Sequence, residues 1–241
     1  MNKPDLSVVM RELERYLRRG MTKEMTESIL KHPVSEMKKA IKMRSGVEFM
    51  WVVDNPSRAL HLLRNAPLLR KHGMYEDALE YTFTSGRAPG EGWGLIFSFA
   101  DRERLRKCGN PLPHAGPFTL YRGVAGRGRQ RAVRHFSWTG TLDVARWFAG
   151  LASYTDGHSS LPDPAVFVVT VPASEVLFYT DDRNEDEYVV STDTLRPRRL
   201  ERVTKEQFDE IQTRREEKRK REEEVWMAAA KKAKPRKRKE G

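Results

Sequence analysis

A segment rich in proline and glycine divides this chain into two stretches with different hydrophobic patterns. It reads "NPLPHAGP" over residues 110 to 117 and follows Gly109. Proline cannot continue a helix or donate to a sheet ladder, so no regular element should run through this segment. Apolar residues recur at helical spacing before it and form short, strand-like runs after it. The sequence therefore predicts an α+β fold, with a helical region at 1–110 and a strand-rich domain at 111–203.

Four segments of the first stretch carry helical signals. "DLSVVMRELERYLRRG", from residue 5, has an apolar stripe that stops at a glycine, and "YEDALEYTF" repeats the pattern. "DNPSRALHLLRN" offers Asn55 as an N-cap, Pro56 at the first helical position, and Leu60 and Leu63 on the inner face. "WGLIFSFADRERLRKCG" is predicted to be a single helix that ends at Gly109.

The second stretch predicts a mostly extended domain with one helix. Strands are expected at residues 118–124, 134–140, 165–173, 175–180 and 187–192. The helix is "TLDVARWFAGL", which Thr141 would cap and which carries Asp143 in its first turn. No internal repeat is visible in the sequence.

The C-terminal segment, residues 204–241, is highly charged. Its first part, to about residue 230, has opposite charges three or four residues apart and few apolar residues, which predicts a solvated helix or an arm that docks onto a partner. Residues 231–241, "KKAKPRKRKEG", hold seven basic residues and one acidic residue. This tail therefore carries more than half of the chain's net charge of +11. Such a tail is typical of a partly disordered segment that attracts nucleic acid or an acidic protein.

Composition excludes several classes of protein. With one cysteine, Cys108, the chain has neither an intrachain disulfide nor a cysteine-rich zinc site, and Cys108 is interpreted as a small apolar filler near a helix end. His114, His135 and His158 lack metal-ligand spacing, so no metal is expected. No apolar run is long enough to span a membrane, and the N-terminus lacks a signal-peptide pattern. We therefore expect no membrane partner and a protein that acts in a cytoplasm, its own or that of a bacterial host.

Three short polar motifs lie on predicted strands of the second stretch. They are Arg122 in "LYRGV", Ser137 with Thr139 in "FSWTG", and Glu185 with Glu187 in "NEDEY". Their order and strand context resemble the R-S-E group of mono-ADP-ribosyltransferases, which includes bacterial toxins and phage enzymes. The resemblance covers residues 118–200. It implies a split β-sandwich, NAD⁺ as a substrate, and a glycosyltransferase that modifies an arginine of a target protein.

The resemblance also implies a role for each motif. Glu187 would stabilise the ribose cation that forms when nicotinamide leaves, and Ser137 would hold Glu187 in place through a hydrogen bond. Glu185 would position the acceptor arginine, and because strand side chains alternate, it should lie on the same side as Glu187 if the segment is extended. Residues expected to contact NAD⁺ are Arg122, Gly123, Ser137, Thr139, Trp147 and Phe148. Trp138 is expected in the core, and Asp181 and Asp182 would attract a basic target.

Two alternatives stay open from the sequence. The same fold could modify a nucleic-acid base or end, which the basic tail favours and the glutamate at 185 disfavours. The chain could also be a non-catalytic module that binds nucleic acid or ribonucleoprotein through its charge. "GVAGRGRQRAVR", after Arg122, fits either a basic lip over the NAD⁺ phosphates or a solvated hairpin.

Overall fold

A computed structural model gives the architecture of the chain. It describes residues 34–53, 58–85, 93–128, 132–155, 160–181 and 184–232. The predicted helix from residue 5, the predicted cap at Asn55 and Pro56, Asp182, His158 and residues 233–241 of the basic tail lie outside these ranges.

The fold is α+β: the described residues before 110 form helices, and those after it form the strands and two further helices. In chain order the helices among the described residues are α1 Val34–Met43, α2 Gly46–Trp51, α3 Arg58–Arg64, α4 Ala66–Lys71, α5 Tyr75–Ser85, α6 Trp93–Ser98, α7 Arg102–Cys108, α8 Leu142–Tyr154 and α9 Lys205–Lys232. The strands are β1 Phe118–Val124, β2 Ser137–Thr139, β3 Ala165–Val171, β4 Val176–Thr180, β5 Glu187–Val190 and β6 Arg198–Arg202.

These strands form one six-stranded sheet in the order β4-β5-β2-β1-β3-β6. Strand β5 pairs antiparallel with β4, and Glu187 lies opposite Thr180. Strand β1 pairs antiparallel with β2, and Tyr121 lies opposite Thr139. The register therefore fixes the first residue of β5 at the C-terminal end of β4.

The chain separates into two compact units that interleave along the sequence. The first comprises Met1–Phe118, His135–Ser137 and Val171–Leu195, and the second comprises Thr119–Arg134, Trp138–Thr170 and Arg196–Gly241. This division differs from the segments 1–110, 111–203 and 204–241 that the sequence patterns outline.

Helices and strands both contribute to a hydrophobic core in the described part of the first unit. The Phe83 ring of α5 packs edge-on against Phe178 of β4, with ring centroids 6.0 Å apart. Phe178 and Val189 are fully buried in the same cluster as Leu63. Leu60, the other residue predicted to face inward on α3, is also buried. Because apolar burial is the main source of stability, these helices and strands stabilise one another.

Helices α6 and α7 replace the single helix predicted over "WGLIFSFADRERLRKCG", so that prediction was wrong. Asp101 has extended backbone angles and caps α7, and its carboxylate accepts a 3.0 Å hydrogen bond from the Arg104 amide. Glu76 of α5 accepts a second bond from the Asp101 amide at 3.0 Å. A buried carboxylate from another helix thus stabilises the break.

The second unit packs α8 against the sheet and α9 against α8. Ala145 and Ala149 of α8 form a buried cluster with Val166 and Val203. Phe208 and Ile211 are the buried apolar residues near the start of α9, while most of the helix is exposed. The predicted C-terminal helix is confirmed, and near its start the Phe208 ring lies against the Tyr154 ring of α8, with centroids 5.9 Å apart.

Two other sequence predictions were wrong in detail, and one strand was missed. Strand β2 is shorter than the predicted 134–140, because the Ser137 amide donates to the His135 ring in a turn that precedes the strand. Thr141 occupies the N-cap position of α8, but the bond seen there is donated by its amide to Thr139 Oγ1, at 3.1 Å. Strand β6 was not predicted. Trp138 is 2% exposed, which confirms its place in the core.

A capping carboxylate gives the first testable prediction. Asp77 Oδ2 of α5 accepts bonds from the first two amides of α2, Gly46 at 2.7 Å and Val47 at 3.2 Å. We expect Asp77→Ala to lower the free energy of unfolding by about 1–2 kcal/mol, because two half-buried donors lose their acceptor. Urea denaturation would measure it, with Asp77→Asn, which keeps one acceptor oxygen, as the milder control. A stability equal to that of the wild type would contradict this role.

Candidate functional site

Two of the predicted motifs meet in a single hydrogen bond. Ser137 is the first residue of β2 and Glu187 is the first residue of β5. The Ser137 hydroxyl donates to Glu187 Oε1 at 2.5 Å, across 50 residues of sequence. The Val190 amide also donates to the Phe136 carbonyl at 2.8 Å, which joins the two strands next to this contact. The hydrogen bond expected from the resemblance is therefore present.

The Glu187 carboxylate is held in a fixed orientation within a largely closed environment. Glu187 is 7% exposed, and the serine hydroxyl, half-buried, lies at its oxygen. A hydroxyl that donates to a carboxylate makes a strong, short hydrogen bond. Charge in a water-poor site acts more strongly on a neighbouring charge than it would in bulk water. This arrangement suits a carboxylate that stabilises a developing positive charge.

Hydrogen bonds form a turn among the described residues of the acidic segment before β5, Asp181 and 184–186. The Asp181 carbonyl accepts from the Asn184 amide at 3.0 Å, and the Asp181 carboxylate accepts from the Asp186 amide at 3.2 Å. Asn110 anchors the start of this turn, because its side chain accepts from the Asp181 amide at 3.1 Å. Asp181 therefore has a structural role in addition to the target attraction predicted for it.

This turn changes the relation predicted between the two glutamates. Asp186, the residue between them, has a φ of 48°, and Asn184 has a φ of 53°. Strand alternation requires an extended backbone, and left-handed angles are outside that region. The premise that Glu185 and Glu187 share a face by alternation is therefore wrong. Glu185 belongs to the turn, half-buried, and Glu187 begins the strand.

Two tyrosines that the sequence reasoning missed lie beside this loop. Tyr179 of β4 and Tyr188 of β5 are register partners, with ring centroids 4.8 Å apart. Burial, with a hydrogen bond from its hydroxyl to Asp186, raises the pKa of Tyr179 well above its usual range. Burial and the charges of Asp186 and Asp181 raise the pKa of Tyr188 to about 12. Both phenols are neutral at physiological pH, and their pairing could be found in the sequence only once the β4–β5 register was known.

Strand β1 places Arg122 and Gly123 in the second unit. The Arg122 Nε donates to the Ala132 carbonyl at 2.9 Å, so this guanidinium is oriented by the segment that follows the strand. A Cβ at Gly123 would lie 1.7 Å from the Ala145 carbonyl oxygen. The contact seen at Gly123 is thus close packing of α8 on β1, while its predicted approach to NAD⁺ stays a prediction.

The other predicted NAD⁺ contacts have structural partners within the second unit. Thr139 is 6% exposed and accepts the Thr141 amide bond at the start of α8. The Trp147 indole N–H donates to Gln212 of α9 at 2.7 Å, and the Arg215 guanidinium lies 4.2 Å from the centre of its ring. Phe148 packs edge-on against Trp147 and is 38% exposed. The contacts of Trp147 in this structure are those of a helix-packing residue.

The predicted residues fall into two groups by unit. Ser137, Glu185 and Glu187 belong to the first unit, and within it the structure brings Ser137 and Glu187 into contact. The remaining predicted residues, Arg122, Gly123, Thr139, Trp147 and Phe148, belong to the second unit.

The free thiol of Cys108 is protonated at neutral pH, as expected of a packing residue. Cys108 is the last residue of α7, half-buried, and its Sγ donates to the Arg104 carbonyl at 3.4 Å. Burial, with the charges of Asp77, Glu80 and Glu76, raises its pKa to about 12. Since the thiolate is the nucleophilic form, this raised pKa keeps Cys108 in the less nucleophilic thiol form at neutral pH.

Across residues 34–232, leaving out the undescribed gaps, no cluster of three or more histidine, cysteine, aspartate or glutamate side chains could hold a metal ion. None of the helices in the described part of the chain is both long and apolar enough to cross a bilayer.

Comparison with known proteins adds no family assignment, since no protein-family model, no curated protein and no solved structure matches this chain.

Proposed function

We propose that this protein is an NAD⁺-dependent mono-ADP-ribosyltransferase that modifies an arginine of a target protein. The observation that supports the proposal best is the hydrogen bond from Ser137 to Glu187. It joins the second and third motifs of the resemblance at the first residues of two strands, β2 and β5.

The chemistry proposed for Glu187 comes from the resemblance, and the burial of the carboxylate and its hydrogen bond to Ser137 support it. In the transfer, the bond between the nicotinamide nitrogen and ribose C1′ breaks, and nicotinamide leaves with the electron pair. Positive charge develops on C1′ and the ribose ring oxygen, and a fixed carboxylate stabilises that charge in the transition state. Ser137 is a positioning residue, because its hydroxyl holds one carboxylate oxygen and thereby directs the other.

Glu185 completes the reaction in this proposal. A guanidinium nitrogen of the acceptor arginine attacks C1′ and forms the new N–C bond. The nitrogen then loses a proton, which Glu185 accepts late in the step, since a free guanidinium has a pKa above about 12. Glu185 lies two residues before Glu187, the first residue of β5, in the turn that Asp181 organises.

We also propose the fold, the partner and the location that accompany this function. They are a split β-sandwich built on the observed sheet, an arginine-bearing protein target, and action in a cytoplasm, that of a host in the case of a toxin or phage enzyme. Arg122 would grip a phosphate or ribose oxygen of NAD⁺, for which a guanidinium is better suited than a lysine.

The test is transfer of label from labelled NAD⁺ into a bacterial lysate, together with release of nicotinamide. We expect labelled bands that resist nuclease and are removed by protease, and loss of the label with hydroxylamine treatment suited to arginine adducts. Glu210→Gln is the matched control, because Glu210 is exposed on α9 and its removal should leave transfer unchanged. Label that nuclease removes would favour a nucleic-acid acceptor, and no label with no nicotinamide release would contradict the proposal.

The position of Glu185 gives a prediction that separates the two half-reactions. We expect Glu185→Gln to lower arginine transfer at least about tenfold and to retain most nicotinamide release, because only the acceptor step uses this carboxylate. Parallel assays of label transfer and of nicotinamide release would measure the two effects. Equal losses in both assays would assign Glu185 to NAD⁺ cleavage or to folding instead.

A further inference from the structure

The second unit contains a pocket of about 510 Å³ that the proposed transfer does not use. It lies where the end of β1, the C-terminal end of α8, the segment before β3 and the end of β6 meet. Its volume falls within the range of about 300–1,000 Å³ that is typical of small-molecule sites. The pocket is therefore large for a bare inorganic ion and suited to a larger compound.

Backbone hydrogen bonds tie the wall of this pocket to three neighbouring elements. The Leu161 amide donates to the Ala152 carbonyl of α8 at 3.0 Å. The Gly126 amide, after β1, donates to the Pro162 carbonyl at 2.6 Å, and the Val203 amide, after β6, donates to the Pro164 carbonyl at 2.9 Å. A wall bound on three sides keeps its shape before a ligand arrives, which lowers the entropic cost of binding.

Two arginines give the pocket its charge. Arg127 and Arg202 both line it and are exposed, and neither forms an ion pair with any residue in the described ranges. The acidic lining residue, Asp163, is bound to Arg199 at 2.7 Å, so its charge is balanced locally. The lining thus carries an excess of positive charge, which attracts an anion.

Two of the three hydroxyl groups of the lining donate their hydrogens to the protein itself. Ser153 Oγ donates to the Leu161 carbonyl at 2.6 Å, and the Tyr154 hydroxyl donates to the Val203 carbonyl at 3.0 Å. Arg127 and Arg202 are the cationic donors of the lining, so they would form the strongest hydrogen bonds to an anionic ligand. Guanidiniums bind phosphate oxygens in a two-pronged geometry, with charge-assisted hydrogen bonds.

We propose that this pocket binds a phosphate-bearing compound of nucleotide size. Arg127 and Arg202 would hold the phosphate oxygens, and Leu161, Pro162 and Pro164 would contact the less polar remainder of the ligand. This site is independent of the transfer proposed for Glu187, and either proposal can fail without the other.

The test is calorimetric titration of the full chain with ADP, with adenosine and inorganic pyrophosphate as comparison probes. We expect ADP to bind, adenosine to bind at least about tenfold more weakly, and ADP affinity to fall as salt rises. Arg127→Gln and Arg202→Gln should each weaken ADP binding about tenfold, since each removes one charge-assisted contact. Both side chains are exposed, so thermal melting of these variants should match the wild type.

Arg198→Gln is the matched control, because Arg198 is an exposed arginine of β6 that does not line the pocket. We expect its ADP affinity to stay within about twofold of the wild type. No ADP binding at millimolar concentration, or equal affinity in all three variants, would overturn the proposal. If pyrophosphate bound as tightly as ADP, the claim that the ligand is of nucleotide size would be wrong. Full ADP binding by Glu187→Gln is expected, and its loss in that variant would place ADP at the transfer site instead.

Discussion

Replacing Glu187 with glutamine is expected to lower NAD⁺-dependent transfer and nicotinamide release at least about 100-fold. The substitution keeps the size of the side chain and its hydrogen bond to Ser137, and removes the charge that would stabilise the ribose cation. Loss of one preorganised electrostatic group of this kind typically lowers kcat by about 100-fold to 1,000-fold. Label transfer and nicotinamide release, measured on protein of unchanged circular dichroism, would test it.

Ser137→Ala provides the companion measurement. The serine acts through Glu187, so its removal should lower transfer by a smaller factor, about tenfold. The double variant should be no slower than Glu187→Gln alone, because residues that act as a unit are not additive. A wild-type transfer rate in Glu187→Gln would contradict the catalytic role of Glu187. Additive losses of rate in the double variant would show that Ser137 does not act through Glu187.

Gly123→Ala is expected to lower the free energy of unfolding by at least about 3 kcal/mol or to prevent folding. The new Cβ would lie 1.7 Å from the Ala145 carbonyl oxygen and 2.7 Å from the Ala149 amide nitrogen. Both obstacles are backbone atoms of α8, so relief would require the helix to move off β1. Overpacking a core by a few atoms typically costs about 1–3 kcal/mol, and a backbone clash lies at or above the upper end. Thermal and urea unfolding of purified protein would measure it.

Gly94→Ala is the control for this substitution. Gly94 lies within α6, and its Cβ would have one neighbour, a Phe136 ring atom at the ordinary distance of 3.8 Å. Alanine is a better helix former than glycine by about 1 kcal/mol, so this variant should be as stable as the wild type or more stable. A Gly123→Ala protein with wild-type stability would show that α8 packs on β1 less closely than the structure has it.

The elements that sequence analysis predicted well are those with a local signal. Strand β1 matches its predicted range, because "FTLYRGV" is bounded by proline on one side and glycine-rich sequence on the other. Strand β5 and helix α8 begin within a residue of the prediction. The contact between Ser137 and Glu187 was expected from the resemblance, since spacing along the chain does not show which strands are neighbours.

The features that were missed depend on contacts distant in sequence. The break before α7 requires Glu76, a residue 25 positions earlier, to accept the Asp101 amide. Strand β6, "RRLER", lies at the edge of the sheet with mostly exposed side chains, so it lacks the alternation that indicates a strand. The left-handed φ of Asp186 is stabilised by the hydrogen bond from its amide to the Asp181 carboxylate. This bond joins residues five positions apart, so the dipeptide Asp186–Glu187 alone does not predict the angle.

Phe178 and Val189 are buried among the helices of the first unit, which limits how the gene can recombine. A gene fragment that encoded the strand-rich stretch alone would produce β4 and β5 with their apolar face bared to water. Arg106 of α7 donates to the Val176 carbonyl at 2.8 Å, and that bond would be lost as well. The helices therefore cannot be exchanged between proteins as a detachable module. A recombinant gene that keeps Glu187 on a folded β5 must also keep the helices upstream. We therefore expect the helical and strand-rich stretches to be inherited together.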